Sequence, residues 1–356
     1  MLGVLVLSFT AGARMQLTPL LAAAPAIACA STGRRQCVVL ACGCALFALV
    51  PIPGEPVGLD QRLGTALAVL CVAGASFLIA QRRIRLNRVL EELRRIAEVA
   101  QQVVLRPVPE RIGPVSTAVS FLAAASGARI GGDFYEVIET PYGLRAILGD
   151  VRGNGLAAVG GAAALLGAFR EAGAVEPALV TVAVRLDAAL TRHATATRSA
   201  GFAGEPDLRA EDFATAVLVQ IPVDGPDCHS VELVVCGHPA PYVFRTGCVR
   251  LLGLDEPAPP LGMRALASGP DALASWTVPF EPGESLVLYT DGVTDARDRS
   301  GAFFPLAEVL SDILADPHGH EPEGITETLR ERLVAHTRGA LHDDAAVLVL
   351  RRQYAD

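Results

Sequence analysis

The first 80 residues consist of long apolar runs joined by short polar connections. Four runs are nearly free of charged side chains: 1–13, 17–30, 37–53 and 63–80. A helix that crosses a bilayer needs about 20 apolar residues, and the last three runs approach that length with their flanks. Buried core helices, or a signal peptide for the first run, are the alternatives. Because such closely spaced runs rarely form a soluble core, the pattern predicts an all-helical transmembrane region over 1–80 with three or four spans.

The distribution of arginine predicts the orientation of these spans. Residues 81–95 contain six arginines and the 31–36 connection contains two, whereas the charged residues of the 54–61 connection are all acidic. Positively charged loops stay on the cytoplasmic side of a membrane. We therefore expect a multi-pass protein of the cell membrane in which everything after residue 81 is cytoplasmic. Whether the first run inserts, and so on which side the N-terminus lies, stays open.

Residues 84–105 place apolar side chains three and four positions apart, which is typical of a helix with one apolar face. The sequence Arg106-Pro107-Val108-Pro109 ends this helix. We therefore expect a cytoplasmic linker helix within 81–109. Its apolar face fits either a short coiled coil that forms a homodimer or a helix that lies on its own catalytic domain.

The remaining residues, 110–354, alternate between short apolar strands and helices. Strands are predicted at 115–122, 143–149, 213–221, 231–236, 241–246, 285–290 and 345–351. Helices are predicted at 155–173, 177–194, 303–315 and 323–338. Several strands follow one another without an intervening helix. This order favours an α+β domain in which antiparallel sheets have helices packed outside them.

The composition excludes several classes of function. Hydrophobic residues make up 51% of the 356 and charged residues only 19%. All 30 basic residues are arginine. Chemistry that needs a lysine amine, such as P-loop nucleotide binding, kinase phosphoryl transfer or Schiff-base catalysis, is therefore excluded. Residues 106–356 carry 20 arginines against 33 acidic residues, and this negative charge predicts that nucleic acid is not a partner.

Aspartates stand at the ends of several predicted strands. Asp133 follows two glycines, and Asp150 and Asp291 each end a strand. Asp343 and Asp344 precede the last strand. A lone Asp-Gly pair usually forms a turn, but several such aspartates in one domain indicate a shared site.

Converging carboxylates raise one another's pKa values unless cations neutralise them. Four carboxylates balance the charge of two divalent cations. Ligation by oxygen alone suits Mg²⁺ or Mn²⁺ and not zinc. Two such ions can hold a bridging hydroxide and orient a phosphoryl group for in-line attack.

Seven segments of this region resemble, in order, the motifs of the SpoIIE-type branch of the PPM, or type 2C, metal-dependent serine/threonine phosphatases. They are GGDFYE (131–136), GDVRGNG (149–155), FATAVL (213–218), GHPAP (237–241), PPLG (259–262), LYTDGVTDAR (288–297) and DDAAVLVLR (343–351). The resemblance covers nearly all of 110–352. It implies an α-β-β-α sandwich with a dimetal Mn²⁺ or Mg²⁺ centre between two antiparallel sheets.

The resemblance also implies roles for individual residues. Asp150 would bridge both ions, and the Val151 carbonyl would be a further ligand. The other ligands would be Asp133, Asp291 and Asp343. Asp344 would support the ligands, although which residue of the Asp343–Asp344 pair ligates stays open.

Several neighbouring residues are candidates for secondary roles. Arg129, Arg152 and His238 would contact the substrate phosphate or support the ligands. Glu136 and Asn154 differ from the residues common in the family at these positions, and we expect them to tune activity without abolishing it.

These inferences predict a membrane-anchored, metal-dependent phosphoserine/phosphothreonine protein phosphatase. The resemblance implies that the substrate is a phosphorylated anti-anti-sigma (STAS) regulator, so that dephosphorylation would control a sigma factor. Two alternatives remain. One is a membrane receptor or scaffold whose phosphatase-like domain binds partners without catalysis, and the other is a metal-dependent phosphodiesterase.

Overall fold

The computed structural model describes residues 59–124, 131–199, 213–225, 228–245, 247–253, 258–264, 273–315 and 320–354, with isolated positions between 39 and 46. The predicted apolar runs 1–13 and 17–30, and most of 37–53, lie outside these residues. The chain divides into two compact units, Met1–Leu93 and Arg94–Asp356.

Six helices lie in the described part of the chain. They are α1 (Leu59–Val104), α2 (Leu156–Val175), α3 (Leu179–Ser199), α4 (Asp291–Thr294), α5 (Leu306–Ala315) and α6 (Pro322–Thr337). The last apolar run and the linker, predicted as separate elements, belong to the single 46-residue helix α1. The reason is local, since no glycine or proline stands between residues 75 and 104 to interrupt it.

Two stretches of the described residues are long and apolar enough to cross a membrane, namely Ala66–Glu92 within α1 and the whole of α2. Helix α2 is half buried and contributes Leu165, Leu166 and Phe169 to the protein core. It is therefore a core helix of a folded domain. Ala66–Glu92 is largely exposed and contains most of the predicted 63–80 span. The multi-pass arrangement stays a prediction.

Eleven strands form two sheets in the described residues. They are β1 (Arg111–Ile112), β2 (Val115–Leu122), β3 (Asp133–Thr140), β4 (Gly143–Val151), β5 (Ala214–Ile221), β6 (Ser230–Cys236), β7 (Tyr242–Arg245), β8 (Cys248–Leu251), β9 (Trp276–Pro279), β10 (Ser285–Tyr289) and β11 (Ala345–Arg352). One sheet has the order β1-β2-β11-β10-β7-β8 and the other β3-β4-β5-β6-β9. All their strand pairs are antiparallel.

Alternate residues of each central strand face opposite layers of the domain. Leu148 of β4 and Leu288 of β10 point between the two sheets and share one core. Ile147 of β4 faces α2 and α3, and Val287 of β10 faces α5 and α6. This arrangement confirms the predicted α-β-β-α sandwich.

Four strands were not predicted from the sequence, and the shortest of them is β1, which has only two residues. Strand β3 has acidic residues within it, and Glu136 is nevertheless buried because it pairs with Arg170 on α2 at 2.6 Å. Strands β8 and β9 have only four residues each and lie at sheet edges. Their apolar signals are therefore weak.

Arg145 on β4 is fully buried and fixes the end of α2. Its guanidinium donates to the carbonyls of Gly173, Glu176 and Pro177 at 2.8, 2.5 and 2.6 Å. The side chain of Gln220 accepts two further bonds from it. Carbonyls at a helix end lack partners within the helix, so this arginine satisfies groups that burial would otherwise leave unpaired.

We expect Arg145→Leu to lower the free energy of unfolding of the domain by about 3 kcal/mol or more, because it leaves several buried carbonyls without donors. Urea unfolding followed by the fluorescence of Trp276, the only tryptophan, measures this loss. Arg250→Leu, on exposed β8, is the matched control and should change stability little. Equal stability of the two variants would contradict the capping role.

Candidate functional site

The strand ends that carry the predicted aspartates meet at one edge of the sandwich. Asp133 begins β3 and lies directly opposite Asp150 near the end of β4. Thr215 of β5 lies opposite Asp150 on its other side. From the second sheet, Asp291 follows the end of β10, and Asp343 precedes β11. Antiparallel neighbours place the start of one strand beside the end of the next, and this is why the residues converge.

The carboxylates are close enough to perturb one another. Burial, and then the negative charges of Asp291 and Asp343, raise the pKa of Asp150 to about 7. Burial also raises the pKa of Asp133 well above its usual range, and Asp150 is the next cause. Loss of hydration raises the pKa of Asp291 and of Asp343. The negative charge of Asp343 further raises the pKa of Asp291, and the charges of Asp344 and Asp295 further raise that of Asp343.

The side chain of Asp344 has a different environment from that of Asp343. Asp344 is buried, and its carboxylate accepts hydrogen bonds from the amides of Ala124 and Gly131 at 2.9 and 3.2 Å and from Gln101 Nε2 at 3.3 Å. The carboxylate of Asp343 is exposed and accepts a bond from the following amide at 2.9 Å. Asp344 therefore organises the surrounding backbone, while Asp343 stays accessible.

Asp133 is held by a residue that the sequence did not single out. Thr290 donates its hydroxyl to Asp133 Oδ2 at 2.8 Å and accepts from the amide of Ala346 at 2.9 Å. Leu286 and Leu288 of β10 point into the core between the sheets, and Thr290 is the next residue in this alternating series. A polar residue at an inward position next to a candidate ligand is the signal that could have identified it.

Two glycines allow backbone segments of the site to touch. A Cβ at Gly132 would lie 2.2 Å from the carbonyl oxygen of Val151, and one at Gly292 would lie 1.8 Å from that of Asp344. Any side chain at these positions would force the segments apart. The glycines at these two positions thus allow close approach of the backbone.

The other predicted residues have varied surroundings. Arg152 is exposed and its guanidinium carbon lies 5.0 Å from the centre of the Phe213 ring. Arg129 lies outside the described residues. Asn154 is exposed. His238 is buried with both ring nitrogens engaged inside the protein, at 3.0 Å from Thr215 Oγ1 and 3.0 Å from the Tyr289 carbonyl. It is therefore not free to contact a substrate phosphate.

Two side chains connect the end of α1 to β3. Gln101, which is buried, donates to the carbonyl of Asp133 at 3.5 Å as well as to Asp344. Arg170 pairs with Glu136 and donates to the carbonyl of Val104 at 3.4 Å. Glu136 thus fixes a helix end, and no sequence signal marked Gln101.

The donor set fits hard divalent cations. Its side-chain donors are carboxylate oxygens. Burial first, and then the neighbouring carboxylates, raise the pKa values of Asp133, Asp150 and Asp291, and a bound cation would stabilise their charged forms. Within the described residues, no three His, Cys, Asp or Glu side chains already form a compact metal-binding group.

Comparison with protein-family models identifies the chain. Residues 140–353, more than half of its length, match the model of Stage II sporulation protein E (SpoIIE). The chain belongs to the SpoIIE family. No curated protein matches it.

Solved structures similar to this SpoIIE-family chain share its fold. The PP2C phosphatase domain and a regulatory-domain fragment of SpoIIE from Bacillus subtilis match at 17% identity and a TM-score of 0.53, over 68% of this chain and 62% of that one. The RsbU and RsbW domains of Rv1364c from Mycobacterium tuberculosis match at 19% identity and a TM-score of 0.53, over 71% of this chain and 63% of that one. The SiaA-PP2C domain of Pseudomonas aeruginosa matches at 21% identity and a TM-score of 0.52, over 75% of this chain and 98% of that one. The SpoIIE-family chain thus has the fold of a PP2C phosphatase domain, and it spans less than two thirds of the first two relatives.

Burial of Asp150 and repulsion from its neighbouring carboxylates make the stability of the metal-free domain depend on pH. Folded Asp150 keeps its proton up to pH about 7, whereas an unfolded aspartate loses it near about 3.9. The folded state binds more protons between these values, so the free energy of unfolding should fall as pH rises from about 4 to about 7. Asp150→Asn should flatten this slope and stabilise the metal-free domain at pH 8 by up to about 4 kcal/mol.

The measurement is urea unfolding in EDTA, followed by Trp276 fluorescence across this pH range. Asp312→Asn, on the exposed face of α5, is the control and should keep the wild-type slope. A wild-type slope in the Asp150→Asn protein would contradict the account.

Proposed function

We propose that this SpoIIE-family chain is a metal-dependent phosphoserine/phosphothreonine protein phosphatase. The observation that carries the proposal is the convergence of four mutually repelling carboxylates at one edge of a PP2C-type sandwich. Desolvated like charges are costly in a protein unless a partner neutralises them. Binding of divalent cations would neutralise these carboxylates and would explain why the fold brings them together.

Two divalent cations, Mn²⁺ or Mg²⁺, are the proposed cofactors. Asp150 and the carbonyl of Val151 would hold them together with Asp133, Asp291 and Asp343. When bound, the ions supply an activated water nucleophile and neutralise charge on the phosphoryl oxygens. Asp344 is not assigned as a ligand, because three N–H donors already occupy its carboxylate.

The chain's own residues position these ligands and offer one candidate phosphate contact. Thr290 orients the carboxylate of Asp133. Arg152 directly follows Val151, and its exposed guanidinium can reach a phosphate oxygen on the substrate. Arg129 keeps the same proposed role.

The proposed substrate is a phosphorylated regulatory protein of the STAS type, so that the enzyme would control a sigma factor. Support comes from membership of the SpoIIE family and from the fold shared with the RsbU domain of Rv1364c. The acidic character of residues 106–356 does not favour nucleic acid.

Membrane anchoring is proposed from the N-terminal unit. The exposed, apolar Ala66–Glu92 stretch and the charge-free runs before it support an anchor with the phosphatase domain in the cytoplasm. Ile84, Val89 and Leu90 of α1 are also exposed. Burial of this apolar face in a homodimer, through the 84–105 segment, is the accompanying proposal.

A non-catalytic receptor or scaffold, whose phosphatase-like domain would bind partners without hydrolysis, is the alternative to this proposal. Retention of all four aspartates favours the enzyme, because a domain that only binds partners does not need them.

We expect the full-length chain to release phosphate from a phosphoserine peptide only when Mn²⁺ or Mg²⁺ is present. Asp150→Asn should lower kcat/KM by on the order of 10²-fold or more, because it removes the proposed bridging carboxylate. Phosphate release with and without EDTA measures the effect, and Asp312→Asn should retain wild-type activity.

Other outcomes separate the alternatives. Turnover that persists in EDTA would contradict metal dependence. Hydrolysis of a diester but not of a phosphoserine peptide would indicate a phosphodiesterase. Binding of Mn²⁺ without any hydrolysis would indicate the non-catalytic domain.

A further inference from the structure

His238 is an uncharged side chain buried between the two sheets. Its Nε2 lies 3.0 Å from the carbonyl oxygen of Tyr289, which can only accept a hydrogen bond. Nε2 must therefore carry the proton, and Nδ1 accepts from the hydroxyl of Thr215 at 3.0 Å. Burial lowers the pKa of His238 to about 3, which agrees with a neutral ring.

The two partners of His238 belong to different sheets. Thr215 lies on β5 in the five-stranded sheet, directly opposite Asp150. Tyr289 ends β10 in the six-stranded sheet and is followed by Thr290 and then Asp291. The imidazole therefore connects the strand neighbour of one candidate ligand to the strand that delivers another.

These hydrogen bonds and the pairing of strands β3, β4 and β5 together connect six residues in a closed ring. Asp133 pairs with Asp150 along β3 and β4, and Asp150 pairs with Thr215 along β5. Thr290 returns from the second sheet to Asp133 through its hydroxyl at 2.8 Å. We call this set the inter-sheet ring: Asp133, Asp150, Thr215, His238, Tyr289 and Thr290.

Repulsion between the carboxylates works against this arrangement. The charges of Asp150 and Asp291 raise the pKa of Asp133, which shows that they repel its charged form. These aspartates lie at strand ends of both sheets, so the repulsion acts between the sheets. An arginine at position 238 could also link the sheets, but its charge would pair with the aspartates and compete with a bound cation. A neutral imidazole provides one donor and one acceptor without that competition.

We propose that His238 is a positioning residue that links the two sheets through Thr215 and Tyr289, so that Asp133, Asp150 and Asp291 keep the spacing needed to bind divalent cations. This role rests on the proposed metal-dependent phosphatase function. His238 acts through its neighbours and does not touch the substrate.

The test compares Mn²⁺ affinity and turnover in full-length variants. Thr215→Val removes only the hydroxyl that His238 accepts from, and His238→Phe removes both bonds. Partners that orient metal ligands typically contribute 10–100-fold in affinity or activity. We expect each variant to weaken Mn²⁺ binding in calorimetric titration by about 10–100-fold.

Two further readouts separate positioning from a general loss of stability. Higher Mn²⁺ should restore kcat in Thr215→Val, while KM for the phosphoserine peptide stays near the wild-type value. His238→Gln, which retains a donor and an acceptor, should recover part of the affinity lost in His238→Phe. Thr326→Val is the matched control, since it removes a buried hydroxyl that bonds to the Glu323 carbonyl within α6, and it should leave Mn²⁺ affinity unchanged.

The failures are distinguishable. Wild-type affinity in both Thr215→Val and His238→Phe, with only the unfolding temperature lowered, would overturn the positioning role and leave the phosphatase function standing. A wild-type chain that neither binds Mn²⁺ nor hydrolyses the peptide would overturn the proposed function and the positioning role with it.

Discussion

Like charges repel, and this domain gathers four carboxylates at one edge where two sheets meet. Burial strengthens the repulsion at Asp133, because little water remains around this carboxylate to screen it. The pKa of Asp150 accordingly rises to about 7, and those of Asp133, Asp291 and Asp343 rise as well. Much of the surrounding structure can be understood as what keeps these groups together. Thr290 orients Asp133 from the opposite sheet, and Asp344 ties down the backbone on both sides of residues 125–130.

The same constraint connects local sequence to the rest of the sandwich. Gly132 and Gly292 let backbone segments approach within contact distance, and any side chain there would separate the strands that carry the aspartates. Helix α2 begins at Leu156, five residues after the end of β4, which carries Asp150. Arg145 binds the carbonyls at the opposite end of this helix. At the other side of β3, Gln101 and Arg170 attach the end of α1 to the strand of Asp133. A change in that helix end would therefore act directly on the backbone of a candidate ligand.

Periodicity along the chain predicted most of the sandwich. Residues 115–122, 285–290 and 345–351 form strands within one residue of the expected bounds, because their alternate positions face two apolar layers. Strand β3 was missed because Glu136 interrupts its apolar pattern, and only the three-dimensional pairing with Arg170 explains its burial. Asp150, Asp291 and Asp343 were found from their places at strand ends, and Asp133 was found from the two glycines that precede it. The roles of Gln101 and Thr290, and the contacts of His238 with both sheets, could not be predicted in this way. They depend on which elements meet in the folded domain, and the spacing of residues along the sequence does not contain that information.

Calorimetric titration of the metal-free chain with Mn²⁺ measures whether these aspartates form a site for two divalent cations. We expect two bound ions per chain. We also expect release of protons at pH 6.5, because Asp150, with a pKa of about 7, must lose its proton to ligate. Proton release is measured by repeating the titration in buffers with different ionisation enthalpies. A chain that binds no Mn²⁺, or that binds it without releasing protons at this pH, would contradict the account.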